Sequence, residues 1–238
     1  ASGHCYPELV EKKDGKIIAQ IKGIIWRDNY LRINENFKNV LKEPLKDGIK
    51  ILMYGRVTYD QVYGLSLNIE DIDVSFSLGD LEREKNETIE KLKKEGIFNN
   101  NKNLQFPLLP KRIAVISAET SNGFMDFKKV LDENQYGYKF LYYLFPAVLQ
   151  GDDAIRTISY QLEMIKLYKK YFDVVVIVRG GGGHISLSCY NNYQLVKAIV
   201  DFPLPILTGI GHSTNETVVE MVANKNAITP TKLGEILV

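Results

Sequence analysis

Four stretches of this chain carry side chains that could do chemistry together. Arg179 stands directly before a run of four glycines, Gly180, Gly181, Gly182 and Gly183, and His184 follows them. Glycines let backbone N–H groups approach an anion closely, and phosphate is the usual guest. A guanidinium beside them can grip a phosphodiester through two parallel hydrogen bonds and stabilise its transition state. The run does not fit the dinucleotide pattern, because Ile185 stands at the third glycine's place, and no Gly-Lys-Ser/Thr follows it. The plain alternative is a tight turn that needs positive φ. His212 follows Gly211, and a pKa near neutrality suits it to general acid or base work, with a structural hydrogen bond as the other reading. The third stretch, 117–123, leads to Asp126, and the fourth, 145–153, ends in Asp152 and Asp153, which read as helix-capping acids of a first turn. His4, His184 and His212 are scattered and make no metal triad.

Each of these stretches follows a short apolar run: Arg112–Ser117, 139–145, 173–178 and 204–208. Helical patterns near 124–134, 153–171, 191–201 and 215–223 lie between or after them. Apolar strands without alternation suit a sheet covered on both faces, and βα repetition implies a parallel, doubly wound, Rossmann-like sheet. In such sheets ligands bind beyond the carboxyl ends of the strands, where all four stretches fall. Upstream, residues 16–27, after the turn signal Asp14-Gly15, read as a strand, and so does a segment near 4–9. Two further runs, 49–59 and 63–74, join through Asp60-Gln61 as a hairpin. Four strands are one short of a five-stranded OB barrel. A helix is expected over 80–95, with Asp80 as N-cap and Gly96 as its end, and then a polar linker, 99–103. The expected organisation is a partial OB-fold β domain over 1–78, a linker helix and polar linker over 79–106, and an α/β catalytic domain over 107–238.

Composition narrows the field. With 45% hydrophobic and 25% charged residues and a net charge of +1, the chain is not of the disordered class. No apolar run reaches the roughly 18 residues of a membrane span, and the first residues show no secretory signal pattern. Cys5 and Cys189 match no zinc or redox spacing, and two lone thiols suit a reducing cytoplasm. A sequence pI of about 7.9 would not by itself suggest DNA. On an OB surface, aromatic side chains beside basic ones stack single-stranded bases, which marks Trp26, Arg27, Tyr54, Arg56 and Tyr59. The competing reading has Trp26 and Tyr54 filling the barrel.

These residues resemble a family. The chain is similar, over almost its whole length, to the large subunit of bacterial exodeoxyribonuclease VII. The resemblance runs through Ser2-Gly3-His4-Cys5-Tyr6 (SGHxY), Glu95-Gly96-Ile97-Phe98 (EGLF), 115–126 and Phe145-Pro146-Ala147-Val148-Leu149-Gln150-Gly151-Asp152-Asp153-Ala154. It continues through Arg179-Gly180-Gly181-Gly182, Gly209-Ile210-Gly211-His212 and Thr229-Pro230-Thr231. The resemblance implies hydrolysis of single-stranded DNA from its ends to short oligonucleotides, with no cofactor strictly required and Mg2+ as a candidate ion. It carries essential roles onto Asp126, Arg179 and His212. Two departures stand out. The family's GHxxD reads here as Gly211-His212-Ser213-Thr214-Asn215, and Ser186 stands where the family has an acid before Leu187. Glu216 could supply the missing carboxylate, although Ser213-Thr214-Asn215-Glu216 also fits a capping box, which we favour. With two acids absent, turnover is expected to be reduced. Relative to the family, residue 1 falls after the first OB strand, and Val238 precedes the long helices that recruit small subunits, so this chain alone is expected not to assemble the heteromeric enzyme. Two other readings stay open: a homologue that only binds single-stranded DNA, and an α/β enzyme taking a free nucleotide on Gly180–Gly183.

Overall fold

A computed structural model of the chain describes residues 3–13, 16–181, 183–211 and 216–238. Ser2, the expected turn at Asp14-Gly15, Gly182, His212, Ser213, Thr214 and Asn215 lie outside the described residues. The chain divides into two compact units, Ala1–Asp80 and Leu81–Val238.

The first unit has four strands: β1 (Glu8–Lys13), β2 (Lys16–Ile24), β3 (Leu52–Asp60) and β4 (Gly64–Asp73); the strand expected near 4–9 starts only at Glu8, and Cys5 makes an isolated bridge to Ile25. Their order is β1-β2-β4-β3, with β2 and β4 parallel and the other pairs antiparallel. The β3–β4 hairpin is closed by Asp60, whose Oδ1 accepts from the N–H groups of Val62 and Tyr63. A helix, α1 (Arg27–Leu41), lies between β2 and β3 and was not anticipated. Only Ile33, Phe37 and Leu41 of it are buried, spaced four apart on one face. So thin a stripe in a polar segment is easily read as loop. The strand expected over 16–27 therefore stops at Ile24. His4 joins the two ends of this turn, since its Nδ1 accepts from the N–H of Arg27 at 3.0 Å and its ring meets Trp26 edge-on at 4.9 Å.

The linker helix, α2 (Val74–Lys94), starts six residues earlier than expected. Strand β4 runs straight into it, and Asp73 supplies the start, its Oδ1 accepting from Ser75 N and Phe76 N. Asp80 is thus not the N-cap. It is buried inside the helix, 3.7 Å from Lys50 Nζ. Gly96, at φ 71°, follows the helix end in the left-handed conformation that terminates such helices.

In the second unit five parallel strands are ordered β6-β5-β7-β8-β9: β5 (Arg112–Ser117), β6 (Leu141–Pro146), β7 (Val174–Val178), β8 (Ile206–Gly209) and β9 (Lys225–Asn226). Alternate residues face opposite ways. Ile113, Val115, Val174, Val176 and Leu207 pack with α3 (Asn122–Asp132) and α8 (Pro230–Leu237). Ala114, Ile116, Val175 and Ile177 pack with α4 (Asp152–Leu167), α6 (Tyr193–Val200) and α7 (Val218–Val222). Leu92, Ile97 and Phe98 join that second core, so the end of the linker helix is part of this unit. Four strands and four helices of this sheet were legible, while β9, α8 and the short α5 (His184–Leu187) were not. Among the described residues no helix is long and apolar enough to cross a membrane.

Candidate active site

A cleft of about 1160 Å³ opens at the carboxyl ends of β5, β6 and β7. Arg179, Gly180, Gly181 and Asp126 all line it, so two of the three residues expected to be catalytic border one cleft. The third, His212, lies outside the described residues. Asp126 is exposed in the second turn of α3, and Glu119 adds a further carboxylate from the loop before that helix.

Arg179 continues β7, whose five residues are wholly buried, and is itself only 6% exposed. Its Nη1 donates to Ser186 O at 3.0 Å, and the guanidinium lies over the ring of Tyr190, 5.9 Å from its centroid. No carboxylate among the described residues forms an ion pair with it. A charge so removed from water is costly unless an opposite charge arrives, so this cation is disposed to take an anion from the cleft. Next to it burial pushes the Cys189 thiol up to about 11, with Arg179 only partly opposing, so Cys189 stays a thiol.

Two helices begin on the same cleft because each follows a strand of a parallel sheet. Ser121 caps α3 by accepting from Phe124 N, and Thr229 caps α8 by accepting from Lys232 N, with Pro230 in the first turn. Ser121, Thr229 and Thr231 all line the cleft. Helix starts carry partial positive charge and unpaired N–H groups. Glycines allow them to come this close: a Cβ at Gly123 would fall 2.6 Å from the carbonyl carbon of Arg179, and one at Gly209 3.2 Å from Pro230 Cα.

Gly180 and Gly181 need a different account. Positive φ is not their reason, and Gly183 has φ −85° as the residue before α5, so the tight-turn reading fails at these three. A Cβ at Gly181 would meet nothing within 4 Å, and one at Gly180 would make an ordinary contact at 3.9 Å with Gly123 N. The chain's own packing does not demand glycine there, whereas close approach of a ligand would.

A capping box forms at Thr217–Glu220, four residues beyond the expected one. Thr217 Oγ1 accepts from Glu220 N, and Glu220 Oε2 accepts from Thr217 N at 2.7 Å. Val218, Val219 and Val222 of the helix that follows are buried. Ser213, Thr214 and Asn215 of the expected box lie outside the described residues; Glu216 Oε1 accepts from Asn226 Nδ2 at 3.3 Å. Glu220, which sequence reasoning passed over, is buried against Gly211, where its Oε1 would stand 2.0 Å from a Cβ. Burial pushes its pKa up, partly offset by the two bonds from Thr217.

A family model described as "Exonuclease VII, large subunit" matches residues 97–238, and one described as "OB-fold nucleic acid binding domain" matches residues 1–73. The chain belongs to the exonuclease VII large-subunit family. It is 32% identical over 241 residues to the exodeoxyribonuclease 7 large subunit of Clostridium botulinum strain Okra, covering 100% of this chain and 55% of that protein. It is 32% identical to the same subunit of Lacticaseibacillus casei, covering 89% and 47%, and 27% identical to that of Deinococcus radiodurans, covering 99% and 58%. The chain spans about half the length of these relatives.

In the OB-fold unit of this exonuclease VII relative the five expected DNA contacts are all exposed. Trp26 is 48%, Tyr54 66% and Tyr59 75% accessible, so neither Trp26 nor Tyr54 fills the barrel. They do not share one face. Tyr54 and Arg56 alternate with Gly55 on one side of β3, and Tyr59 lies with Val57 on the side that carries buried Ile69. Arg56 is already paired with Glu70, Nε to Oε1 at 2.8 Å.

Thr229 and Pro230, quoted above only for the resemblance, also carried a local signal, since Thr-Pro before an apolar stripe is a helix start. Tyr190 and Glu220, which do not line the cleft, carried no such signal, because their partners Leu149 and Gly211 are fixed only by folding.

Proposed function

We propose that this chain hydrolyses phosphodiester bonds of single-stranded DNA, in the manner of the exonuclease VII family, in the cleft beside Arg179. The observation that carries the reading is a nearly buried arginine, without a carboxylate partner among the described residues, in the lining of a cleft that two glycines and two helix starts also border. In this reading the scissile phosphate sits between Arg179 and the amides of Gly180 and Gly181, which take the charge developing on its oxygens. His212 moves the proton, from attacking water or to the leaving oxygen, and Asp126 orients one of these partners. Water attacks phosphorus, the P–O bond to the leaving nucleotide breaks, and the proton ends on the released oxygen. Where Mg2+ takes part, Glu119 and Asp126 are the cleft carboxylates available to it, since Mg2+ binds through one or two carboxylates and substrate phosphates.

The test is degradation of end-labelled single-stranded oligonucleotides, with and without EDTA. Short products in both conditions are expected. Salt-sensitive binding without product would replace this reading by the binding-only one. Because Asn215 and Ser186 replace two acids of the family pattern, we further propose that turnover is slow, and that Asn215→Asp raises it. Rates equal to those of an intact relative would remove that part.

A further inference from the structure

Arg179 and the loop after β6 both line this cleft. One buried side chain touches both. Tyr190 is fully buried, its ring lies beneath the Arg179 guanidinium, and its hydroxyl donates to Leu149 O at 3.1 Å. Leu149 lines the cleft. Burial pushes this phenol's pKa well above its ordinary value, so it remains a donor throughout the neutral range. Asn191, next in the chain, accepts from Val218 N at 2.9 Å, which ties the start of α7 to the same turn. A residue that only filled space here could be phenylalanine. The hydroxyl is there for a carbonyl on the cleft wall.

We propose that Tyr190 is a positioning residue that sets the cleft's width, its ring fixing the guanidinium and its hydroxyl fixing the 146–150 wall. The proposal rests on the reading of the cleft as the cleavage site. It predicts a split between two variants. Tyr190→Phe keeps the ring under Arg179 and frees only the Leu149 carbonyl. Tyr190→Leu removes both supports.

The experiment measures kcat, KM and Tm on a labelled single strand for the full chain, both variants, and Ile199→Val as a control elsewhere in the same core. It also measures Kd for a cleavage-resistant phosphorothioate strand. Tyr190→Phe is expected to raise KM and Kd about 5–10-fold with kcat nearly unchanged, the scale of one lost hydrogen bond. Tyr190→Leu is expected to lower kcat by about 10²-fold as well, the scale of a displaced charge-stabilising group. Ile199→Val should lower Tm and leave the kinetics alone. Tyr190→Phe kinetics and Kd equal to the parent's would overturn the proposal, as would the same shift in Ile199→Val. If the parent chain does not cut DNA at all, the cleavage reading falls, and the phosphorothioate Kd values alone decide Tyr190.

Discussion

Gly123 in α3 lies directly against the backbone of Arg179: a Cβ at the glycine would stand 2.6 Å from that carbonyl carbon and 2.7 Å from its oxygen. Neither partner is a flexible side chain that could swing away. The helix carrying Asp126 is thereby seated on the strand end carrying the guanidinium, so one missing methyl sets the spacing of the two expected catalytic groups. Gly123→Ala should push α3 outward, destabilise the second unit by about 1–3 kcal/mol and lower cleavage more than binding. Thermal melting alongside single-strand degradation checks it, and unchanged Tm would show that the contact relaxes freely.

Arg179→Lys retains a positive charge but loses the planar fork. With Ser186 O and the Tyr190 ring holding the guanidinium, a lysine cannot occupy the same position with two donors on one phosphate. We expect single-strand cleavage to fall by about 10²–10³-fold while Tm shifts little. Initial rates on an end-labelled strand measure this.

The polar linker is held by two asparagines. Buried Asn101 donates through Nδ2 to Phe202 O and Leu204 O and accepts at Oδ1 from Ile206 N, at the start of β8. Asn224 Nδ2 donates in turn to Asn101 O and Leu104 O. Asn101→Ala leaves these buried groups unpaired, and a loss of about 2–4 kcal/mol is expected from denaturant melts. Asn224→Ala should cost less, because part of its network faces solvent.

Two carboxylates should give pH dependences of opposite sign. Burial pushes the Asp173 pKa up, but the Arg112 guanidinium and the Arg112 and Lys111 N–H groups outweigh it and hold the pKa below the ordinary range. Its stabilising contribution is therefore present above the unfolded pKa and lost as pH falls through the folded one. Asp173→Asn should lower stability by about 1–2 kcal/mol at neutral pH, with the gap to the parent closing below about pH 4. Glu220, raised by burial, favours the fold when protonated and loses that contribution as pH rises through its folded pKa. Glu220→Gln should remove this second slope. Tm profiles across the acid range read both.

On the OB-fold unit, Glu70 neutralises Arg56 beside exposed Tyr54. Glu70→Gln should free that cation, tighten single-strand binding at low salt and steepen its salt dependence by about one counterion. Tyr54→Ala should weaken binding by about 1–3 kcal/mol if a base stacks there. Fluorescence titrations at several salt concentrations separate the two terms.

Local pattern carried much of this molecule. The apolar runs that became β5, β7 and β8, the Asp60 hairpin and Gly96 at the helix end were all legible, because strand, turn and cap signals act over a few residues. The position of Arg179 at a strand's carboxyl end followed from the same logic, and so did its sharing one side of a parallel sheet with Asp126. Where two local signals competed, packing chose. A strand running without a loop into α2 gave the cap to Asp73 instead of Asp80, and Thr217 with Glu220 caps α7 above three buried valines. Tyr190 on Leu149, Glu220 against Gly211 and the α8 start on the cleft were decided by tertiary structure alone. Those contacts join residues far apart in the chain, and their existence depends on close-packed backbones that no short-range periodicity encodes.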